Sequence, residues 1–99
     1  MKHTEFIDAF ADRHDDEEIF RSEGHDEACI GWTDSWNGKE RNIRLVYDIA
    51  KVVNIIQERD GSTYEDALEH FNYNIAGSYV GKSTPIYIYN LIDTMEDSM

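Results

Sequence analysis

DGSTYEDALEHFNYNIAGSYVGKSTPIYIY, residues 60–89, carries a helix stop, a helix, a glycine-marked turn and a strand in succession. Asp60-Gly61 ends a preceding helix, because glycine takes the left-handed conformation without steric cost. Ser62-Thr63-Tyr64-Glu65 reads as a capping box, with the Ser62 hydroxyl accepting from the Glu65 amide and the Glu65 carboxylate reaching back. Tyr64, Ala67, Leu68, Phe71 and Ile75 then recur at helical spacing and give one apolar face. Glu65, Glu69 and Asn72 take the wet side. Gly77 and Gly81 both suit a helix end, and the sequence does not choose between them. Pro85 bars further helix at the residue before it. Ile86, Tyr87, Ile88 and Tyr89 alternate β-branched with aromatic residues, as a half-buried strand does, and the leading proline fits an edge strand.

Gly81-Lys82-Ser83-Thr84 imitates the end of a phosphate-binding loop. That loop needs G-x-x-x-x-G-K-[ST], with a strand before it and a helix after it. Here Ala76 stands where the first glycine is required. The expected order is also inverted, helix first and strand second, so a plain helix-to-strand turn is the reading.

Outward from this unit, Asp48 is placed to cap a helix whose buried face is Ile49, Val52, Val53 and Ile56. Arg59 puts positive charge in its last turn, where the helix dipole favours it. Before it, residues 28–33 read as a strand, as do residues 41–47, where Ile43, Leu45 and Tyr47 alternate with Asn42, Arg44 and Val46. Between them Trp36-Asn37-Gly38-Lys39 signals a hairpin, Asn-Gly suiting a type I′ turn. Thr4 is a candidate cap for a first helix bearing Phe6, Ile7, Phe10 and Ala11. Residues 12–18 read as a solvated loop or as the acidic start of a second short helix holding Ile19 and Phe20. Residues 23–26 read as a turn.

The order is thus one or two helices, two strands, two helices and a strand. Runs of like elements indicate α+β. The expected architecture is a small, mainly antiparallel three-stranded sheet with three to four helices on one face. The 99 residues make a single domain. It divides into an acidic helical segment (1–23), a core (24–89) and a frayed acidic tail (90–99).

The core motif, Asp60, Gly61, Thr63, Glu65, Asp66 and Ala67 followed by Phe71, Tyr73, Asn74, Gly77, Ser78, Tyr79, Gly81, Thr84 and Pro85, resembles a group of small bacteriophage and prophage proteins. Gly24, Asp26, Ala28, Gly31 and the triplet Val46-Tyr47-Asp48 extend the likeness, which covers roughly residues 24 to 88. The resemblance implies a phage origin. It implies no activity and no catalytic residues, and the first 23 residues lie outside it.

The net charge is −12. Residues 1–28 hold ten acids against three bases, residues 29–61 hold five of each sign, and residues 62–99 hold six acids against Lys82. With no basic stripe to meet phosphates, direct nucleic-acid binding is not expected. A partner with a basic surface is, against the plain alternative that the acidity serves solubility. The single cysteine, Cys29, allows no intramolecular disulfide, which fits the reducing cytoplasm of an infected bacterium. No apolar run approaches a membrane span, and the N-terminus lacks a signal-peptide core.

Motifs for chemistry are absent. His3, His14, His25 and His70 do not fall at zinc-ligand spacing. His25, Asp26 and Cys29 form the nearest cluster, but a cysteine in an apolar strand is more often buried than reactive. Asp15-Asp16-Glu17-Glu18 lacks the glycine and spacing of a calcium loop. No cofactor, metal or catalytic residue is therefore expected. The function expected from sequence is a phage-encoded acidic interaction protein. It would modulate or inhibit a host protein, such as a nucleic-acid-handling or defence complex of the kind targeted by anti-CRISPR or anti-restriction proteins. Its candidate surface is Asp12, Asp15, Asp16, Glu17, Glu18, Glu23, Trp36 and Tyr79, aromatic residues being frequent interface anchors. The alternatives are a small enzyme or ligand-binding protein with a site near residues 77–84, and a module that self-associates as a homodimer through the edge strand 86–89.

Overall fold

A computed structural model describes residues 2–78 and 81–97. The chain forms α1 (His3–Arg13), a 3₁₀ turn (Asp26–Ala28), β1 (Cys29–Asn37), β2 (Glu40–Asp48), α2 (Ile49–Asp60), α3 (Tyr64–Phe71), β3 (Ile86–Ile88) and α4 (Leu91–Asp97). This is the expected small α+β fold.

β1 and β2 pair antiparallel, with Trp32 opposite Leu45 and Asn37 opposite Glu40. The loop is therefore Gly38-Lys39, one residue later than the Asn-Gly turn expected from sequence. Only Gly38 has positive φ (67°), whereas a type I′ turn needs it at both central residues. A bulge at Ile30, between the pairs Cys29–Tyr47 and Gly31–Val46, shifts the register near the start of β1. β3 runs parallel to β2, Val46 opposite Ile86 and Tyr47 opposite Tyr87, and the sheet order is β1-β2-β3. Parallel neighbours need a long crossover, which α2 and α3 supply.

Ile43, Leu45 and Tyr47 alternate along β2 and are all buried. Leu45 and Tyr47 share one core with Ile7 of α1, Val52, Val53 and Ile56 of α2, and Ala67 and Phe71 of α3. Asp48 caps α2 as expected, its carboxylate accepting from the amides of Ala50 (3.0 Å) and Lys51 (3.4 Å). Gly61, at φ 65°, closes α2 by donating its N–H to the Gln57 carbonyl at 2.8 Å.

Four local expectations are corrected. The cap of α3 is Thr63, not Ser62: the Thr63 hydroxyl accepts from the Asp66 amide at 3.2 Å, and the buried Ser62 hydroxyl has no partner. Thr63 stands immediately before the helix with extended backbone (φ −72°, ψ 164°), the position from which a side chain reaches the first-turn amides. α1 starts at His3 after Lys2, and Thr4 instead donates its hydroxyl to Asp26 at 2.9 Å. Residues 14–25 form no second helix, so the acidic run is a loop, one of its two readings, and the segment 1–23 is helical only through Arg13. The C-terminal segment is helical rather than frayed, because the Asn90 side chain caps it by accepting from the Asp93 amide at 3.1 Å.

α3 passes directly into a π turn, Asn72–Ala76. Gly77 follows in the right-handed region (φ −83°), and the left-handed glycine is Gly81 (φ 112°). The helical path thus ends at Gly77, and Gly81 serves the turn towards β3.

Candidate functional site

Two places on the molecule gather polar side chains. The first lies at the hairpin tip. Glu17 and Glu18 line a groove with Trp36, Arg41, Asn42 and Lys82. Trp36 is 66 % exposed and stands out from the hairpin. Lys39 also lines the groove and forms no ion pair among the described residues, while the other two cations are committed. Arg41 makes a two-point bond to Asp34 (2.8 and 2.7 Å), and Lys82 pairs with Glu40. That bond holds the Asp34 carboxyl below the usual carboxylate range and raises the Arg41 guanidinium, with Glu17 and Asp16 adding to the latter. Asp12, Asp15, Asp16, Glu17, Glu18 and Glu23 form no ion pair among the described residues.

The expected surface is therefore only partly assembled. Glu17, Glu18 and Trp36 meet in one groove. Asp15 and Asp16 are exposed on the turn just before them, and Asp12 is exposed on the last turn of α1. Glu23 lies elsewhere, in a hollow with Arg21, Gly24 and Asp26. Tyr79 is outside the described residues. The groove mixes signs, so it is not a continuous strip of negative charge. Trp32, the other exposed tryptophan, packs against Phe10 and His14, with ring centroids 4.9 and 5.8 Å away.

The second place escaped the sequence reading. Residues 22–25 form a tight turn, closed by the His25 amide donating to the Ser22 carbonyl at 3.1 Å, with Gly24 at φ 82°. Such a turn needs glycine at its third position. Two tyrosines from neighbouring strands fasten it. The Ser22 amide donates to the Tyr47 hydroxyl (2.9 Å), and the Tyr87 hydroxyl donates to Ser22 Oγ (2.8 Å). Ser22 Oγ in turn meets His25 Nδ1 at 2.8 Å. His25 is only 5 % exposed, and its Nε2 has no partner. Burial, with Arg59 and His70 nearby, lowers its pKa, so it is neutral at pH 7. Burial also pushes the Tyr47 phenol up to about 12.

In either neutral tautomer something at this chain's end goes unmatched. If Nδ1 accepts from Ser22, an Nε2–H has no acceptor. If Nδ1 donates, both Nε2 and the Ser22 proton lack a partner. An unmatched buried polar group costs about 1–3 kcal/mol. Ser22, His25 and Tyr87 line a cleft of about 220 Å³ together with Asn74, Ile75, Ser78 and Pro85. No local sequence signal marks Ser22. The nearest clue is Tyr47 and Tyr87, which alternation places on strands but whose hydroxyls reach a residue far away in sequence.

The cluster of His25, Asp26 and Cys29 is dispersed. His25 turns to Ser22, and Asp26 accepts from Thr4 and from Arg21 (3.0 Å). The half-buried Cys29 thiol points to the Gly31 carbonyl, and burial raises its pKa. Among the described residues no group of three or more His, Cys, Asp or Glu could hold a metal ion. No described helix is long and apolar enough to cross a membrane. No family model matches the chain, and neither the curated proteins nor the solved structures yield a match.

Proposed function

We propose that this chain is a phage-encoded interaction protein that binds a basic surface on a host protein through the groove at the hairpin tip. The reading is carried by one observation. The carboxylates of Glu17 and Glu18 form no ion pair among the described residues and stand beside Trp36, 66 % exposed, in a single groove. Exposed tryptophan is a frequent energetic anchor, and unpaired charge around it steers a partner of opposite sign. The net charge of −12 adds long-range attraction to the same partner. Surfaces built to hold phosphate backbones are basic, so a nucleic-acid-handling or defence complex is the partner class that fits. The mechanism is occlusion: the groove covers the basic surface and keeps its ligand out.

The test is capture from host lysate at low and high salt, with the partner identified by mass spectrometry. The parent chain is compared with Trp36→Ala and with a variant in which Asp15, Asp16, Glu17 and Glu18 become Asn or Gln. A stoichiometric partner held by the parent, released at high salt and lost from both variants is the expected result. Absence of any partner at either salt, or undiminished capture by both variants, sinks the reading.

A further inference from the structure

We propose that the cleft between the 22–25 turn and the π turn after α3 binds a small, uncharged heterocycle of the nucleobase class. This is separate from the groove at the hairpin tip and stands or falls independently of it.

Three features converge on the cleft. The first is the hydrogen-bond chain from Tyr87 through Ser22 to His25, which ends unmatched at Nε2 in a side chain only 5 % exposed. Nε2 is sealed from solvent, so a polar group from a ligand completes this chain only when the 22–25 turn gives way. The second is the backbone. Asn74 and Ile75 line the cleft from the π turn, where the helix departs from its regular ladder. Such single π turns recur at functional sites because they re-aim side chains. Asn74 commits its amide nitrogen to the His70 carbonyl at 3.2 Å, which leaves its carbonyl oxygen to accept.

The third feature is charge. Arg21 is the cation in the lining, and its guanidinium is held by Asp8 and Asp26. His25 is neutral at pH 7 because burial and the positive neighbours Arg59 and His70 lower its pKa, with Asp26 the one opposing charge. A phosphate or carboxylate entering here would meet no uncommitted positive charge among the described residues, and Glu23 on the same wall would repel it. An uncharged ligand has no such cost. Its size follows from the volume of about 220 Å³, below the roughly 300–1,000 Å³ of pockets that hold drug-sized molecules. One ring system fits that space. Pro85 and the Tyr87 ring offer flat apolar surface, while Asn74 Oδ1 and Ser78 Oγ offer acceptors, the Ser78 proton going to the Asn74 carbonyl at 3.0 Å. A planar ring whose edge carries N–H groups matches this division between faces and rim.

The test is a nitrogen-15 NMR titration of the full chain with uracil, cytosine, adenine and hypoxanthine, each alone at millimolar concentration, and then with the corresponding nucleoside monophosphates. At least one base is expected to give saturable shifts centred on residues 20–25, 74–78 and 85–87. Asn74→Leu, at an exposed rim position, is expected to keep the parent spectrum elsewhere and to bind about tenfold more weakly, the worth of one hydrogen bond. Ser22→Ala is the second variant and is expected to weaken binding further; should it unfold, Asn74→Leu alone decides. The monophosphate is expected to bind less tightly than its base. Absence of a saturable shift from all the bases overturns the proposal. So does binding that Asn74→Leu leaves unchanged, or a monophosphate that binds more tightly than its base.

Discussion

The α2–α3 pair and the segment from His14 to His25 are held in place by different physics. α2 and α3 are regular, capped by Asp48 and Thr63, and bury Val52, Val53, Ile56, Ala67 and Phe71 in one core. The segment 14–25 has no regular element, and its Ile19 is only partly buried against that core. Its order comes from polar bonds made by distant residues: Tyr47 and Tyr87 to Ser22, and Asp8 to Arg21. The difference teaches where each candidate surface draws its shape. Apolar burial fixes the scaffold, and directional bonds to the sheet fix the loop that carries both the acidic run and one wall of the cleft.

Four substitutions can break or sharpen this contrast. Phe71 is 2 % exposed and meets the Tyr87 ring edge-on at 5.2 Å. Phe71→Ala is expected to cost about 3–5 kcal/mol in urea denaturation. A loss no larger than that of a surface substitution would remove α3 from the core. Tyr47→Phe keeps the buried ring and deletes only the hydroxyl that accepts from Ser22. It is expected to cost about 1–3 kcal/mol, because a buried amide is left unmatched. Amide exchange should speed up most around Ser22. A variant as stable as the parent, with Ser22 still protected, would mean that the turn is held by something other than the tyrosines. The smallest effect belongs to the cap of α3. Thr63→Ala should cost about 1 kcal/mol and Ser62→Ala nearly nothing, since only Thr63 bonds the helix. The reverse order would move the start of the helix.

Legibility in the sequence followed the same divide. Asp48, Gly61 and the spacing of Val52, Val53 and Ile56 made α2 readable from local chemistry. Alternation in residues 41–47 marked β2 with its inward residues correct. The misses at Ser62 and at Asn37-Gly38 are slips of one residue, where two adjacent residues offered the same chemistry and only the backbone path selected one. α4 carried a signal in Asn90 ahead of Leu91, Ile92 and Met95, but the acidic residues among them favoured a frayed reading. The direction of β3 depends on how the crossover packs, which no local pattern encodes. The cleft was illegible for a related reason: its members, Ser22, Tyr47 and Tyr87, are brought together only by the finished sheet. Of the candidate surface, Glu17, Glu18 and Trp36 do converge, while Glu23 was included on charge alone, and charge does not report position.

The parallel pairing of β3 with β2 also governs the order in which the molecule can be assembled. The hairpin is closed by two residues, Gly38 and Lys39, so its strands meet at little entropic cost. Val46 and Ile86 lie at the two ends of the whole α2–α3 crossover, and such distant partners are slow to find one another. The Tyr87 hydroxyl has no route to Ser22 until that pairing is made. A chain with β3 undocked therefore has no cleft, and β3, synthesised after β1 and β2, is the strand that completes the wall laid down by residues 22–25.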